Sequence, residues 1–219
     1  MNEAGRRELI LQAAERLLTH YGPQKTTVAD VAREAGVGVG TVYLEFASKE
    51  AIIEELSRSR YDAVLCAMRE AATQTDKTFG ERLIGAFDAR LSAYLAQART
   101  GAHACDLLHN SSVAVKNASE RFHDEERALI TGILEEGTRA NELSVEDAAL
   151  NARAILRAYG SFTPPWIFMG EREELFRLIG AVHRIVLRGV IRREAGKPEE
   201  PVPGWKNQPD GQPGTESPG

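Results

Sequence analysis

The chain has 219 residues, of which 42% are hydrophobic and 27% are charged, and its formal net charge is −5 at pH 7. This composition is ordinary for a globular protein and excludes a collagen-like repeat and a disulfide-stapled scaffold. No apolar run reaches the length of a membrane span, and Cys66 and Cys105 allow at most one disulfide. We therefore expect a cytoplasmic protein without a membrane partner. Because the net charge is negative, any contact with nucleic acid must come from a local patch.

The N-terminal part is predicted to form three helices. An apolar stripe that includes Leu9, Ile10 and Leu17 has helical spacing, and Gly22–Pro23 ends it. Thr27 followed by Asp30 has the spacing of a capping box, which marks the start of the second helix. The predicted helices of this part cover residues 3–20, 27–35 and 39–46.

The following residues are also predicted to be helical. Only the pair Pro164–Pro165 interrupts them before residue 195, and no two-residue alternation marks a strand. Ser48, Thr78 and Ser144 are the expected helix starts. The predicted elements are helices at 48–72, from Thr78 onward, at 119–137, at 144–163 and at 171–194, with a short element at 102–110. The sequence therefore predicts an all-α fold of about nine helices.

The last 24 residues differ from the rest in composition. From Gly196 onward they hold six of the nine prolines and five of the nineteen glycines. Such a segment buries too little apolar surface to offset its ordering entropy, so we predict a disordered tail. The expected organisation is a helix-turn-helix domain at 1–47, a helical ligand-binding and dimerisation domain at 48–195, and the tail at 196–219.

The window from Thr27 to Lys49 has the spacing of a helix-turn-helix. A small residue is needed where the second helix crosses the first, and Ala32 occupies that position. A residue that tolerates a left-handed backbone is needed four positions later, and Gly36 occupies it. Val31 and Val42 stand where apolar side chains must hold the pair together. In this motif the second helix enters the major groove of DNA.

The same window resembles a known family. The matching residues are Thr26-Thr27-Val28 through Ala32, Gly36-Val37, Gly40-Thr41-Val42-Tyr43, Phe46 and Ser48-Lys49-Glu50. They are similar to the N-terminal segment of TetR-family transcriptional regulators, over about Leu9 to Ile53. The resemblance implies a homodimer whose two heads bind a palindromic DNA operator. It also implies a helical body whose pocket takes a small-molecule inducer.

The resemblance assigns DNA contacts to individual positions. It implies that Thr27, Tyr43 and Lys49 contact phosphates, and that Val39, Gly40 and Thr41 meet base edges. The two arginines Arg6 and Arg7 are expected to flank the groove as an arm.

Three positions depart from the usual family pattern: Gly38 stands where a polar cap is common, Val39 cannot hydrogen-bond a base, and Glu45 replaces a phosphate-friendly residue. Direct readout is then expected to rely on thymine methyl groups and on Thr41.

The final two helices are the expected dimer interface. Their apolar stripes are wide, and Gly180, Ala181 and Gly189 would allow close approach of a second copy. A two-fold operator needs paired recognition helices, which favours a dimer. The same stripes are also what the core of a monomer requires.

Aromatic and histidine side chains of the body are the expected inducer site, because such pockets are mostly apolar with a few polar groups. An alternative role for most of the aromatic residues is ordinary core packing. The predicted ligand-binding residues are Tyr94, His103, His109, Phe122, Tyr159, Phe162 and Trp166.

The segment from His103 to His109 also contains the residue types of a transition-metal site. Cys105 and His109 are four residues apart and share a helical face, and Asp106 lies between them. No second pair with metal-ligand spacing supports them, so we predict no cofactor and no metal.

The sequence therefore predicts a ligand-responsive repressor and not an enzyme. An all-helical metal-dependent enzyme and a helical partner-binding scaffold are the alternatives.

Overall fold

The computed structural model describes residues 3–109, 112–169 and 171–191, with side chains from residue 5 onward. Within these ranges the chain forms eight α-helices and three 3₁₀ turns, and the only extended pairing is an isolated antiparallel bridge between Leu143 and Ile191. The all-α prediction is confirmed. The helices are α1 Glu3–Tyr21, α2 Val28–Ala35, α3 Val39–Glu45, α4 Lys49–Ala72, α5 Phe79–Ala98, α6 Val113–Arg139, α7 Ala148–Ala158 and α8 Arg172–Val190.

Local caps begin the helices where the sequence predicted them. Thr27 and Asp30 form a capping box at α2, and Thr78 and Glu81 form a second one at α5. The Ser48 hydroxyl accepts a hydrogen bond from the Ala51 amide at the start of α4. Each cap supplies a partner to a backbone N–H that the first helical turn leaves unpaired.

Three predicted boundaries in the body are wrong: the start of α6 and both ends of α7. Helix α6 begins at Val113 instead of residue 119, because the Ser112 hydroxyl caps it through the Val115 amide. Helix α7 is capped by Asp147 and not by Ser144. It ends at Ala158, after which the chain tightens into the 3₁₀ turn Gly160–Phe162. Helix α8 ends at Val190, and the predicted tail at 196–219 lies outside the described residues.

The buried side chains form two clusters. The head cluster lies among α1, α2, α3 and the first turns of α4. The body cluster is built by the rest of α4 together with α5 to α8, and its largest fully buried side chains are Phe87, Tyr94 and Tyr159. Because α4 supplies side chains to both clusters, it links them directly.

A second link comes from the segment between α5 and α6. Leu107 in the 3₁₀ turn Ala104–Leu107 and Val115 in the first turn of α6 belong to the head cluster. The His103 amide donates to the carbonyl of Thr19 at 2.8 Å, and the Tyr61 hydroxyl donates to the carbonyl of Leu108. The start of α6 is therefore fixed against α1 as well as against the body.

Candidate functional site

The head contains the predicted wedge of two helices. Val31, Ala32 and Val42 are buried between α2 and α3. Gly36 has a φ of +68°, in the left-handed region that favours glycine. The Gly36 amide donates to the Arg33 carbonyl at 3.2 Å, and the Val37 amide donates to the Ala32 carbonyl at 3.0 Å, which is the Schellman arrangement. The helix-turn-helix geometry predicted for these residues is present.

One face of α3 is exposed on the surface of the head. Val39, Tyr43 and Leu44 are 43%, 53% and 85% exposed. A Cβ on Gly40 would meet no atom within 4 Å, and Gly38 caps the helix without a side-chain hydrogen bond. This face therefore presents methyl groups, one phenol and open backbone, and no positive charge.

The C-terminal end of α3 is fastened to the first turns of α1. The Arg6 Nε donates to Glu45 Oε1 at 2.9 Å, and the Arg7 guanidinium donates to the Glu45 carbonyl at 2.8 Å. Arg7 also stacks over the Phe46 ring, with 4.1 Å between its Cζ and the ring centroid. Arg6 and Arg7 are thus paired within the head, with side chains that stay 30% and 38% exposed. That they flank the groove stays a prediction.

The predicted phosphate contacts Thr27 and Lys49 already have partners. The Thr27 hydroxyl donates to Asp30 Oδ2 at 2.6 Å, and the pKa of Asp30 is lowered mainly by this hydrogen bond. The Lys49 ammonium donates to the carbonyls of Pro23 and Thr26, at 2.8 and 3.2 Å. Lys49 therefore ties the start of α4 to the loop before α2, a role that the sequence did not indicate.

The body contains a cavity of about 880 Å³ between α5, α6 and α7. Four arginines line it against a single carboxylate. Its lining residues are Arg90, His123, Glu126, Arg127, Ala149, Arg153, Leu156, Arg157, Gly160 and Thr163.

A buried ion pair forms the inner wall of this cavity. Arg90 and Glu126 have side chains that are 2% and 3% exposed, and the Arg90 Nη1 lies 2.5 Å from Glu126 Oε1. Burial raises the pKa of Glu126, but the hydrogen bond from His123 and the charge of Arg90 outweigh it, so the pKa is lowered. Arg90 also donates to the Tyr159 carbonyl at 3.0 Å. This pair holds α5, α6 and the end of α7 together.

The predicted ligand-binding residues are not brought together in this cavity. Tyr94, Phe122, Tyr159 and Phe162 are buried in the body cluster, where the rings of Phe87 and Tyr159 stack at 3.7 Å. Trp166 and His109 are exposed. His103 lies against Gly22 of the head. That these side chains contact a ligand stays a prediction.

The histidine and cysteine segment does not form a metal centre in the described part of the chain. His103 Nδ1 lies 3.0 Å from Asp106 Oδ2. Nowhere in the described ranges do three His, Cys, Asp or Glu side chains gather in a way that would hold a metal ion. Burial raises the pKa of Cys105, which disfavours the thiolate that a metal requires.

Comparison with known proteins gives the same assignment for the head and for most of the chain. The family described as "Bacterial regulatory proteins, tetR family" matches residues 10–56. The transcriptional repressor KstR2 of Rhodococcus jostii is 30% identical over 145 residues, which are 63% of this chain and 67% of that protein. The chain belongs to the TetR family. It is accordingly a DNA-binding transcriptional regulator.

Two further TetR-like matches extend over nearly the whole chain. The transcriptional regulator YhgD of Bacillus subtilis is 27% identical over 84% of this chain and 96% of that protein. The crystal structure of FadR from Bacillus subtilis in complex with stearoyl-CoA has a TM-score of 0.65 and 22% identity, over 83% of this chain and 98% of that one. The body thus shares the fold of the TetR regulators as well. These relatives are transcriptional regulators. Among the described residues, no helix could span a membrane.

Proposed function

We propose that this TetR-family chain is a homodimeric repressor whose two heads bind a palindromic operator and release it when a small molecule enters the body. The division at residues 47 and 195 then separates a DNA-binding part, a ligand-binding and dimerising part, and a tail. A repressor of this kind acts on DNA in the cytoplasm. The observation that carries the proposal is the exposed face of α3, which packs on α2 through the buried Val31, Ala32 and Val42.

The DNA contacts are assigned to side chains and backbone groups of the head that have no partner within the described head or have a proton to spare. Val39, Gly40 and Thr41 would face base edges, and the Tyr43 hydroxyl would donate to a phosphate. An ammonium has three protons, and two of those on Lys49 are used by backbone carbonyls, so one remains for a phosphate. Gly38 lets the backbone approach the duplex closely. Thr27 reaches a phosphate only by giving up its hydrogen bond to Asp30.

The dimer contact is assigned to α7 and α8. Leu178, Val182, Ile185 and Gly189 follow one another at helical spacing along one side of α8, and Ile185 is 70% exposed. Leu150 on α7 is also exposed. A Cβ on Gly189 would meet no atom within 4 Å, so this side of α8 is open to a second copy. A two-fold contact between such faces would pair the two recognition helices.

Release requires that a ligand in the body change the separation of the heads. Operator half-sites lie about 34–36 Å apart or a multiple of that distance. Helix α6 lines the cavity with His123 and Glu126, and its first turn packs in the head cluster with Val115. A ligand that binds more tightly when α6 is in one position would therefore favour the matching position of the head. The FadR structure, which is a complex with stearoyl-CoA, supports an effector site in a body of this fold.

The dimer and the DNA contact can be tested together. Selection of bound duplexes from a random pool should return a two-fold symmetric sequence, and light scattering should give twice the mass of one chain. The variant Ile185→Glu should become monomeric and lose operator binding. Val113→Glu is the matched control, because Val113 is similarly exposed but lies on α6, and it should stay dimeric. A monomeric wild-type chain that selects no common sequence at low salt would refute the proposal.

A further inference from the structure

The arginines that line the cavity are not all balanced by carboxylates. Arg127 lies 3.0 Å from Asp124, and Arg90 is paired with Glu126. Arg153 and Arg157 have no carboxylate within ion-pair distance among the described residues. The cavity therefore carries two guanidinium charges that the rest of the described chain leaves uncompensated.

The spacing of Arg153 and Arg157 destabilises α7 slightly, because it brings two like charges together. Arg153 and Arg157 are four residues apart on α7 and so lie on the same side of it, where like charges destabilise a helix by a few tenths of a kcal/mol. No acidic residue lies three or four positions from either of them on α7. Both side chains line the cavity, and both remain exposed to solvent.

The inner wall offers a further donor. Arg90 is almost fully buried, and its Nε has no hydrogen-bond partner. Burying an unpaired donor is costly, so such a group points to a missing acceptor. Its other nitrogens are occupied by Glu126 and the Tyr159 carbonyl. His123 lies 3.3 Å from the same carboxylate, so Glu126 is already satisfied.

We propose that the effector of this regulator is an organic dianion, bound between Arg90 on the inner wall and the pair Arg153 and Arg157 on α7. The proposal rests on the regulatory function above and names the chemical class of its ligand. A carboxylate or phosphate accepts two parallel hydrogen bonds from one guanidinium, which fixes both its position and its orientation. Two negative charges match the two uncompensated arginines.

The size of the cavity fits such a molecule. Its volume of about 880 Å³ is within the usual range of about 300–1,000 Å³ for small-molecule sites. Leu156, Ala149 and Gly160 supply apolar lining between the charged groups. An anion that bridges α7 to the inner wall would draw α7 towards α5 and α6.

The test uses a series of six-carbon compounds that differ in charge and in the polar groups that they carry. Adipate and hexyl phosphate are dianions near neutral pH, hexanoate is a monoanion, 1,6-hexanediol is neutral and 1,6-diaminohexane is a dication. Thermal unfolding of the full chain without DNA should show a rise in Tm of about 3–6 °C with a dianion at ten times its Kd. Hexanoate should give a smaller shift, and the diol and the diamine none. The order of adipate and hexyl phosphate distinguishes a dicarboxylate from a phosphate ester.

Paired variants locate the site. In Arg153→Gln/Arg157→Gln the shift with the dianions should disappear and their Kd should rise at least tenfold. The matched control Arg16→Gln/Arg177→Gln removes the same charge from two exposed ion pairs away from the cavity and should keep the full shift.

Three results would overturn the inference. The first is that the diol raises Tm as much as the dianions do, and the second is that Arg153→Gln/Arg157→Gln keeps the full Tm shift with the dianions. The third is that this double variant is monomeric, because the two arginines would then serve the subunit contact. Operator selection by the wild-type chain needs no ligand, so failure of the anion series leaves the repressor assignment standing. Failure to bind DNA likewise leaves a measured anion shift intact.

Discussion

The head and the cavity of the body differ in how completely their arginines are paired with carboxylates. In the head, every arginine between residues 5 and 60 lies within 4.0 Å of a carboxylate: Arg6, Arg7, Arg16, Arg33, Arg58 and Arg60. In the body, the cavity keeps Arg153 and Arg157 without such a partner in the described part of the chain. The DNA-binding part therefore has little spare positive charge, while the candidate effector site has an excess of it.

This difference indicates how each part selects its partner. A head whose cations are paired internally binds non-specific DNA weakly, so its affinity depends on shape and on apolar contacts at α3. A cavity with uncompensated guanidiniums attracts anions before any shape is matched. The head is therefore expected to select a DNA sequence by shape, and the cavity to select its ligand by charge.

The largest expected effect concerns the ion pair that closes the cavity. Glu126→Ala should lower the free energy of unfolding by about 3–5 kcal/mol, because it leaves the buried Arg90 charge without its partner. Urea unfolding measures the change. Glu34→Ala, which breaks an exposed pair with Arg16 in the head, should cost about 1 kcal/mol or less. Equal costs in the two variants would contradict the contrast between a buried and an exposed pair.

The same pair gives the unfolding free energy a defined dependence on pH. The pKa of Glu126 is lowered from its ordinary value of 4.5 in the folded chain, so the unfolded chain takes up this proton first as the pH falls. Its contribution is therefore complete above pH 4.5 and is lost as the pH falls through the folded pKa. Urea midpoints at several pH values should show a smaller acid loss in Arg90→Met/Glu126→Met than in the wild type. If both proteins lost the same unfolding free energy at low pH, Glu126 would not be the group responsible.

A smaller effect is expected when the head is given a free cation. Glu45→Gln should release Arg6 from its ion pair and leave its charge available to DNA. The log-log slope of DNA affinity against salt should steepen by about 1.8 per dimer, or about 0.9 for each additional phosphate contact. Fluorescence anisotropy at several salt concentrations measures this slope. Glu174→Gln, which releases Arg177 on α8, should leave the slope unchanged.

The sequence predicted most of the head correctly because its determinants are local. The capping box of Thr27 and Asp30 and the turn at Gly36 involve residues three or four positions apart, so their spacing is visible in the chain. Residue types alone did not reveal that Lys49 would be tied to Pro23, because this contact spans 26 positions. Charge counting likewise could not show that Arg6 and Arg7 meet Glu45.

The body was predicted less well because its site combines three helices. Arg90 and Glu126 are 36 positions apart, and only packing brings them together. The predicted aromatic residues are large and apolar, so Tyr94 and Phe122 suited a ligand pocket and a hydrophobic core equally well. They lie in the core. One local signal was available: two arginines four positions apart on α7 with no acidic neighbour.

The central claim is that the exposed face of α3 docks on DNA. The direct test is the operator Kd of Tyr43→Ala beside Tyr21→Ala, because the two tyrosines are 53% and 51% exposed and only Tyr43 lies on that face. We predict that Tyr43→Ala weakens binding at least tenfold, while Tyr21→Ala changes it less than twofold and both variants keep the helical content of the wild type. Equal affinities for the two variants would contradict the account.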